Sequence, residues 1–407
     1  MADAPWLTII GIGEDGPDCL PPASLSALQA ADTVMAPPRH LDLVSDVLEY
    51  ATPRIAWPVP FANGIPKLKS LRGQKVAVLA SGDPFWFGAG SVLARHLEPH
   101  EWRALPGPST FTLAAARLGW PMERITCMGL HAAPLDRLRR HIGPGERIIT
   151  FLTGADAVKS LGEWLTTRGF GASPVHIMEA LGGPRERITE TRADRIDAKG
   201  LRSPLCVAFR VAGGGASLQT SAGRPDDLFE NDGQLTKRPI RALTLSALAP
   251  VPGARLWDIG GGSGSVSIEW CLSHPHASTV TIERDPERAA RIRRNARAFG
   301  VEHRLGILET DALSALDTPE LWGDAPRSVF VGGGLSGDLL EALSNRLQKG
   351  TRIVANSVTL ETESLLTDWQ ARLGGDLMRI DLAQMEPLGT RRGWTPSRPI
   401  VQWSATL

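Results

Sequence analysis

Leu256-Trp257-Asp258-Ile259-Gly260-Gly261-Gly262-Ser263-Gly264-Ser265-Val266-Ser267-Ile268-Glu269-Trp270 reads as a buried strand closing on an acid, a turn rich in glycine, and the start of a helix. A junction of this kind sets the free backbone N–H groups of a helix N-terminus beside residues that lack Cβ atoms. Gly260 and Gly262 let a ligand approach the backbone, and Gly264 lets the new helix pack close to its strand. Farther on, Ser278 to Ile282 reads as the next strand and closes with a second acid, Glu283. The expectation is a binding cradle in an α/β domain. A glycine turn that binds nothing is disfavoured, because the glycines and both strand-end acids agree.

Turns of this type serve dinucleotides and S-adenosylmethionine alike, and an acid at position 283 suits the ribose hydroxyls of either. The dinucleotide fingerprint started at Gly260 fits at Gly262 but needs a third glycine where Ser265 stands. The spacing is instead D-x-G-x-G-x-G, from Asp258 to Gly264. That pattern resembles the first motif of the Rossmann-like S-adenosylmethionine-dependent methyltransferases. The resemblance implies that Asp258, Gly260, Gly262, Gly264 and Glu283 contact the cofactor. It also implies that Asp311 and Ala312, after the strand Leu305 to Leu308, stand where relatives grip the adenine amino group.

Length and composition bound the rest. At 407 residues the chain calls for two domains. Lys plus Arg equals Asp plus Glu at 44 each, so no overall field favours nucleic acid or an anionic membrane. Cys19, Cys127, Cys206 and Cys271 are scattered without paired spacing, which fits free thiols in a reducing, cytoplasmic compartment. No basic segment precedes an apolar run at the N-terminus, and no stretch approaches a membrane span.

In the first half, the strand Trp6 to Ile12 runs into Gly11-Ile12-Gly13-Glu14-Asp15-Gly16-Pro17. Lys75 to Ala80 delivers Ser81-Gly82-Asp83-Pro84-Phe85-Trp86-Phe87-Gly88, and Trp102 to Leu105 leads into Pro106-Gly107-Pro108-Ser109-Thr110. Ser109 or Thr110 then caps the helix Phe111 to Leu118. Asp83 before a proline also fits an ordinary Asx turn. Taken in order, the three junctions resemble the tetrapyrrole methylase family over residues 6 to about 211. The resemblance implies two α/β subdomains clasping S-adenosylmethionine, with contacts from Gly11, Gly13, Gly82, Asp83, Trp86, Ser109 and Thr110. A second set is implied from Thr153 and Leu181, in Phe151-Leu152-Thr153-Gly154 and Glu179-Ala180-Leu181-Gly182.

The clearest break in composition, Ala212 to Asp232, is glycine-rich and polar. It suggests domains over 1–215 and 235–407 joined by a linker over 216–234. Beyond it, Asp258 to Gly264, Val331-Gly332-Gly333-Gly334 and Asn356-Ser357-Val358-Thr359-Leu360-Glu361 resemble the small decarboxylating precorrin methyltransferases of corrin synthesis. Gly261 departs from many relatives, which carry a larger residue there; the added backbone freedom is expected to loosen the grip on a cofactor. The arginines of Asp285 to Phe299 lie all round their helix among acids, so a solvated cover helix is expected rather than an RNA-binding face. Cys271, His274 and His276 fit no zinc spacing, so no metal is expected.

The two resemblances imply a fused enzyme of cobalamin biosynthesis with one S-adenosyl-L-methionine site per domain. Its implied substrate is the tetrapyrrole polycarboxylate precorrin-6B, methylated at C-5 and C-15 with loss of the ring C acetate carboxyl to give precorrin-8x. The second domain is implied to carry C-15 methylation and decarboxylation, and a homo-oligomer is expected. RNA or protein methylation and a carrier without turnover are the competing readings. Thr236, Lys237, Arg238 and Asn356 are candidates for holding the substrate, the cations as partners of its carboxylates. No triad or other catalytic set is visible, in keeping with methyl transfer that relies on alignment.

Overall fold

In the computed structural model, residues 5–407 are described. The chain divides into two compact units, one running to Leu135 with His141–Ala216, the other comprising Asp136–Arg140 and Ser217–Leu407.

Two sheets build the first unit. Its first five strands, β1 (Leu7–Ile12), β2 (Thr33–Ala36), β3 (Arg54–Ala56), β4 (Val76–Ser81) and β5 (Trp102–Leu105), form a parallel sheet in the order β3-β2-β4-β1-β5. Apolar residues fill both faces of β1 and β4, as a parallel sheet covered on both sides requires. Leu7, Ile9, Val76 and Val78 enter one core and Ile10, Ile12, Ala77 and Leu79 another, with the period of two that alternating Cβ directions impose. The second sheet is mixed and runs β6 (Ile125–Gly129), β7 (Arg147–Phe151), β10 (Leu205–Arg210), β8 (Pro174–Glu179), β9 (Arg187–Arg192). The helix Thr110–Leu118 leaves the first sheet and packs Phe111, Ala114 and Ala115 onto Ile149, Met178 and Cys206 of the second.

The second unit is a seven-stranded sheet of β11 (Arg255–Ile259), β12 (Ser278–Ile282), β13 (Leu305–Leu308), β14 (Ser328–Val331), β15 (Arg352–Ser357), β16 (Asp376–Ile380) and β19 (Ile400–Thr406). The spatial order is β13-β12-β11-β14-β15-β19-β16, parallel except where β19 runs antiparallel to both neighbours. A hairpin of β17 (Ala383–Leu388) and β18 (Arg391–Pro396) stands apart from it and exposes Met385, Leu388 and Trp394. Strand order reverses between β11 and β14, which opens a crevice outside their carboxyl ends. No helix among the described residues is long and apolar enough to cross a membrane.

The linker expected over 216–234 is, in this structure, largely a strap packed on the second unit. Leu218 and Phe229 join Ile268, Ile292 and Phe299 in one core, and the Phe229 and Phe299 rings stack at 4.8 Å. Asn295, buried on the helix Pro286–Ala298, accepts the Glu230 N–H at 2.9 Å and donates to the carbonyls of Glu230 and Ser263, each at 2.9 Å. The strap's polar composition hid these contacts because they come from backbone groups and from isolated side chains, such as Phe229 and Asp232, that follow no period.

Glu269 fixes the strap's path. It lies on the helix Ser265–Ser273, whose residues from Ser265 to Leu272 are all buried. Its carboxylate accepts from the N–H groups of Gly223 (2.7 Å) and Arg224 (2.9 Å) and from Nε of the fully buried Arg241 (2.7 Å). Arg241 donates in turn to the carbonyls of Thr236 and Arg224, both at 2.5 Å, and lies over the Phe229 ring. Buried charges persist only when paired and hydrogen-bonded throughout, as here. Glu269→Gln leaves the buried Arg241 guanidinium with Asp226, 3.0 Å away, as its acid partner and gives the Gly223 and Arg224 N–H groups a neutral amide in place of a carboxylate, and is expected to lower stability by about 2 kcal/mol. Guanidinium denaturation of the full chain checks this, and Arg241→Met with Glu269→Gln should recover part of the loss.

Candidate active site

A cavity of about 1580 Å³ occupies the crevice beyond β11, β12, β14 and β15 in the second unit. The glycine turn is its floor, and each glycine has its own cause. Gly260, at φ +76°, faces Gly333 so closely that a Cβ would stand 2.6 Å from its backbone. Gly262, at φ +58°, would bring a Cβ into ordinary contact with the Gln234 carbonyl at 3.6 Å, and it donates its N–H to Glu283 Oε2 at 2.8 Å. Gly264 is not among the lining residues. It has φ +75°, and its missing Cβ makes room for Ile292 of the following helix, 2.8 Å away, rather than for its own strand. Gly261 has a steric cause in the sheet. A Cβ there would collide with the Thr281 methyl on β12, so the absent side chain is what lets the turn close on the sheet.

The strand-end acids are held rather than free. Asp258 is fully buried, and its Oδ2 accepts from Ser267 Oγ (2.6 Å) and Ser267 N (3.2 Å), fixing the first turn of the helix. Burial pushes its carboxyl up to about 6, against the pull of the Ser267 hydrogen bonds. Glu283 binds the Gly262 N–H through one oxygen and the Asp285 N–H through the other, at 2.8 and 3.0 Å, leaving its remaining lone pairs at the cavity wall. Asp311 caps the helix Ala312–Leu316, accepting from Leu313 N (3.1 Å) and Ser314 N (3.0 Å), and the Ser314 hydroxyl together with these bonds holds it below its ordinary range. Ser263 Oγ is buried against the cavity without a hydrogen-bond partner, an orphaned group that a polar ligand would satisfy.

The strap forms another wall. Thr236, Lys237 and Arg238 line the cavity at the start of the helix Arg238–Leu248, and the two cations are exposed. Asn356 lines it too, but its amide is already engaged. It donates to Thr244 Oγ1 at 2.9 Å and accepts from Gln402 Nε2 at 2.9 Å, and Gln402 also reaches Thr244 at 3.1 Å. Asn356 therefore presents a wall fixed by its neighbours.

In the first unit the three glycine junctions meet because they leave the adjacent strands β4, β1 and β5. Gly107 donates to the Gly82 carbonyl at 3.1 Å, and a Cβ on Gly11 would collide with both Gly82 and Gly107. These glycines thus serve contact between backbones. Asp83 forms the Asx turn, accepting from Phe85 N at 2.8 Å, and half-exposed Trp86 leans on Phe111. Ser109 is the cap, accepting from Thr112 N at 3.1 Å, while Thr110 is the first helical residue. Thr153 donates to the His131 carbonyl at 2.5 Å, and Leu181 is buried with Phe111 and Met178, so their side chains are spent on the fold. Gly13 sits above the Asp15 carboxylate. Beside it, Glu14 binds Arg39 and Arg185 and so ties the loop after β1 to the loop after β8.

Sequence reasoning missed four contributors to the second unit's cavity and its walls. Ser263 lay inside the motif but was not weighed. Glu269 had a signal, a single acid in an otherwise apolar helix segment, which demands a buried partner. Arg284 and Arg398 also line the cavity. Arg398 had no signal, since only the path of the chain between β18 and β19 brings it there.

A family model of tetrapyrrole (corrin/porphyrin) methylases matches residues 6–197, and a precorrin methyltransferase domain model matches residues 227–407. The chain is 46% identical over 408 residues to a precorrin-6Y C(5,15)-methyltransferase [decarboxylating] of Sinorhizobium sp, covering 99% of this chain and 97% of that one. It is 38% identical over 410 residues to the protein of the same name from Mycobacterium tuberculosis, covering 98% and 99%. Among solved structures, the C-terminal domain of precorrin-6Y C5,15-methyltransferase from Rhodobacter capsulatus is 51% identical, with a TM-score of 0.44, covering 47% of this chain and all of that one.

Because the folded chain holds the Asp258 proton up to about 6, above the ordinary 3.8, the native state binds more protons than the unfolded chain between these values. The contribution of Asp258 to stability is therefore greatest in acid and falls as pH rises through that window. Asp258→Asn should remove this part of the slope, read as a flatter dependence of unfolding free energy between pH 4 and 6.

Proposed function

The chain belongs to the family of decarboxylating precorrin-6Y C(5,15)-methyltransferases, and on that premise we propose that it methylates precorrin-6B at C-5 and C-15 and releases the ring C acetate carboxyl as carbon dioxide, giving precorrin-8x. The observation that carries this reading is the cavity of the second unit, where strand-end acids and a glycine turn face a rim of cations. The donor that the family implies is S-adenosyl-L-methionine, which supplies a sulfonium methyl to an electron-rich carbon.

Ser263 Oγ, Glu283 and Asp311 fit such a donor, offering an orphaned hydroxyl and carboxylates fixed by backbone N–H groups. Gly260 and Gly262 hold the floor open, Asp258 and Gly264 fix the helix behind it, and Ala312 adds to the wall. Thr236, Lys237 and Arg238 stand where they meet carboxylates of the tetrapyrrole, with Asn356 as a rigid wall. Alignment of acceptor and donor is the main contribution to rate, worth up to about 7 to 11 kcal/mol in well-ordered pairs. We assign C-15 methylation and decarboxylation to this unit.

C-5 methylation then falls to the first unit, with its own donor site at the convergence of Gly11, Gly82 and Gly107, bordered by Gly13, Asp83, Trp86, Ser109 and Thr110. Thr153 and Leu181, just beyond β7 and β8, support it by fixing their loops, through the Thr153 hydroxyl on the His131 carbonyl and the buried Leu181 side chain. The domains of the working enzyme correspond to 1–215 and 235–407, with the strap between them serving the second. The exposed Met385, Leu388 and Trp394 of the β17–β18 hairpin favour a homo-oligomer.

Mass spectrometry of the product from precorrin-6B decides the reading: two methyl groups gained and one carbon dioxide lost is the expected result, and a product lacking either change contradicts it. Lys237→Ala with Arg238→Ala should raise KM for the tetrapyrrole about tenfold and leave donor affinity unchanged.

A further inference from the structure

Cations in the second unit's cavity are confined to its rim, which also carries the acids Asp226, Asp227 and Asp311. Its buried charged lining residues are both acids, Asp258 and Glu283, set among apolar Ile259, Phe330, Leu339 and Ile380. Every cation of the lining is exposed or already paired. Lys237, Arg238, Arg284 and Arg398 are exposed and form no ion pair among the described residues, while half-buried Arg288 is held by Asp232 at 3.0 Å. Arg284 follows Glu283 at the end of β12, whereas Arg398 stands between the hairpin and β19, so the cations reach the rim from separate elements.

This separation matters for a substrate that keeps most of its carboxylates and loses one. A guanidinium paired to a carboxylate stabilises the charge where it sits, and so opposes a transition state in which that charge has left the carboxyl group. A carboxylate drawn into a water-poor region without a cation lacks that stabilisation and departs more readily. Resting on the precorrin reading, we infer that Arg284 and Arg398 join the rim that grips the carboxylates the substrate keeps, and that the cation-free apolar lining of Leu339, Ile380 and Leu382, apart from the donor's acids, receives the acetate that is lost. In that step the bond between the acetate methylene and its carboxyl carbon breaks and carbon dioxide leaves. The electron pair passes through the macrocycle to a protonated ring C=N bond, giving a neutral enamine. One proton drawn from water then adds at the methylene, making it methyl and restoring the C=N bond.

The test uses the full chain with precorrin-6B and S-adenosylmethionine, following carbon dioxide and methyl transfer together. Arg284→Ala and Arg398→Ala should each raise KM for the tetrapyrrole about tenfold, with donor affinity and the ratio of carbon dioxide to methyl groups unchanged. Arg398→Lys should recover most of the affinity, which a purely structural role would not predict. Leu382, half-buried in the cavity lining two residues beyond Ile380, is the place to add charge: Leu382→Lys should lower the ratio, yielding methylated product that retains its acetate, while Leu382→Met keeps the ratio. Unchanged KM in both arginine variants overturns the grip, and a wild-type ratio in Leu382→Lys overturns the cation-free lining. A wild-type chain that failed to turn over precorrin-6B would defeat the functional reading itself, and this inference with it.

Discussion

The second unit depends on one buried carboxylate. Glu269 sits in a helix with no exposed face, and an unpaired charge there would be untenable. Its partners come from the strap and from the helix Arg238–Leu248, so satisfying one acid dictates where that whole stretch runs. The same stretch carries Thr236, Lys237 and Arg238 to the cavity. A requirement of burial thus becomes the shape of a binding wall. Asn295 repeats the arrangement on a smaller scale, joining the strap to the carbonyl of Ser263 in the glycine turn.

Backbone proximity is the second constraint, and it recurs in both units. Gly260 lies against Gly333, and Gly11 against Gly82 and Gly107, because neighbouring strands deliver their loops to one place with no room for side chains. Glycine in these motifs answers first to the neighbouring loop and second to a ligand. Gly262 alone in the turn has room for a Cβ, at 3.6 Å from the Gln234 carbonyl, and its N–H orients Glu283. The acids follow the same pattern, each fixed by hydrogen bonds before any ligand arrives, which limits the reorganisation that binding requires.

A methyl transfer that relies on alignment needs rigid walls more than reactive side chains. The cavity is built accordingly, with Asn356 locked to Thr244 and Gln402 and Asp258 locked to Ser267. Chemistry that releases carbon dioxide asks for something further, a difference in environment between carboxylates of one substrate. The cavity's cations, confined to its rim, supply such a difference.

Sequence by itself determined the strands, their acids and the glycine junctions, since hydrophobic period and turn chemistry are local properties. Asp258, Glu283 and Asp311 were legible because each ends a strand just before a helix, and the three junctions of the first half were legible by their order. Only tertiary structure decided what those residues do for one another. That Gly264 makes room for Ile292, that Gly261 closes on Thr281, and that Leu181 and Thr153 spend their side chains on the fold are facts of packing between distant segments. The strap looked like a tether because its polar, glycine-rich composition carries no period, while its order comes from backbone groups and from scattered side chains such as Phe229 and Asp232 whose partners lie far along the chain. Arg398 reached the cavity only through the path of the chain past a hairpin, and such a placement depends on contacts that no local pattern encodes.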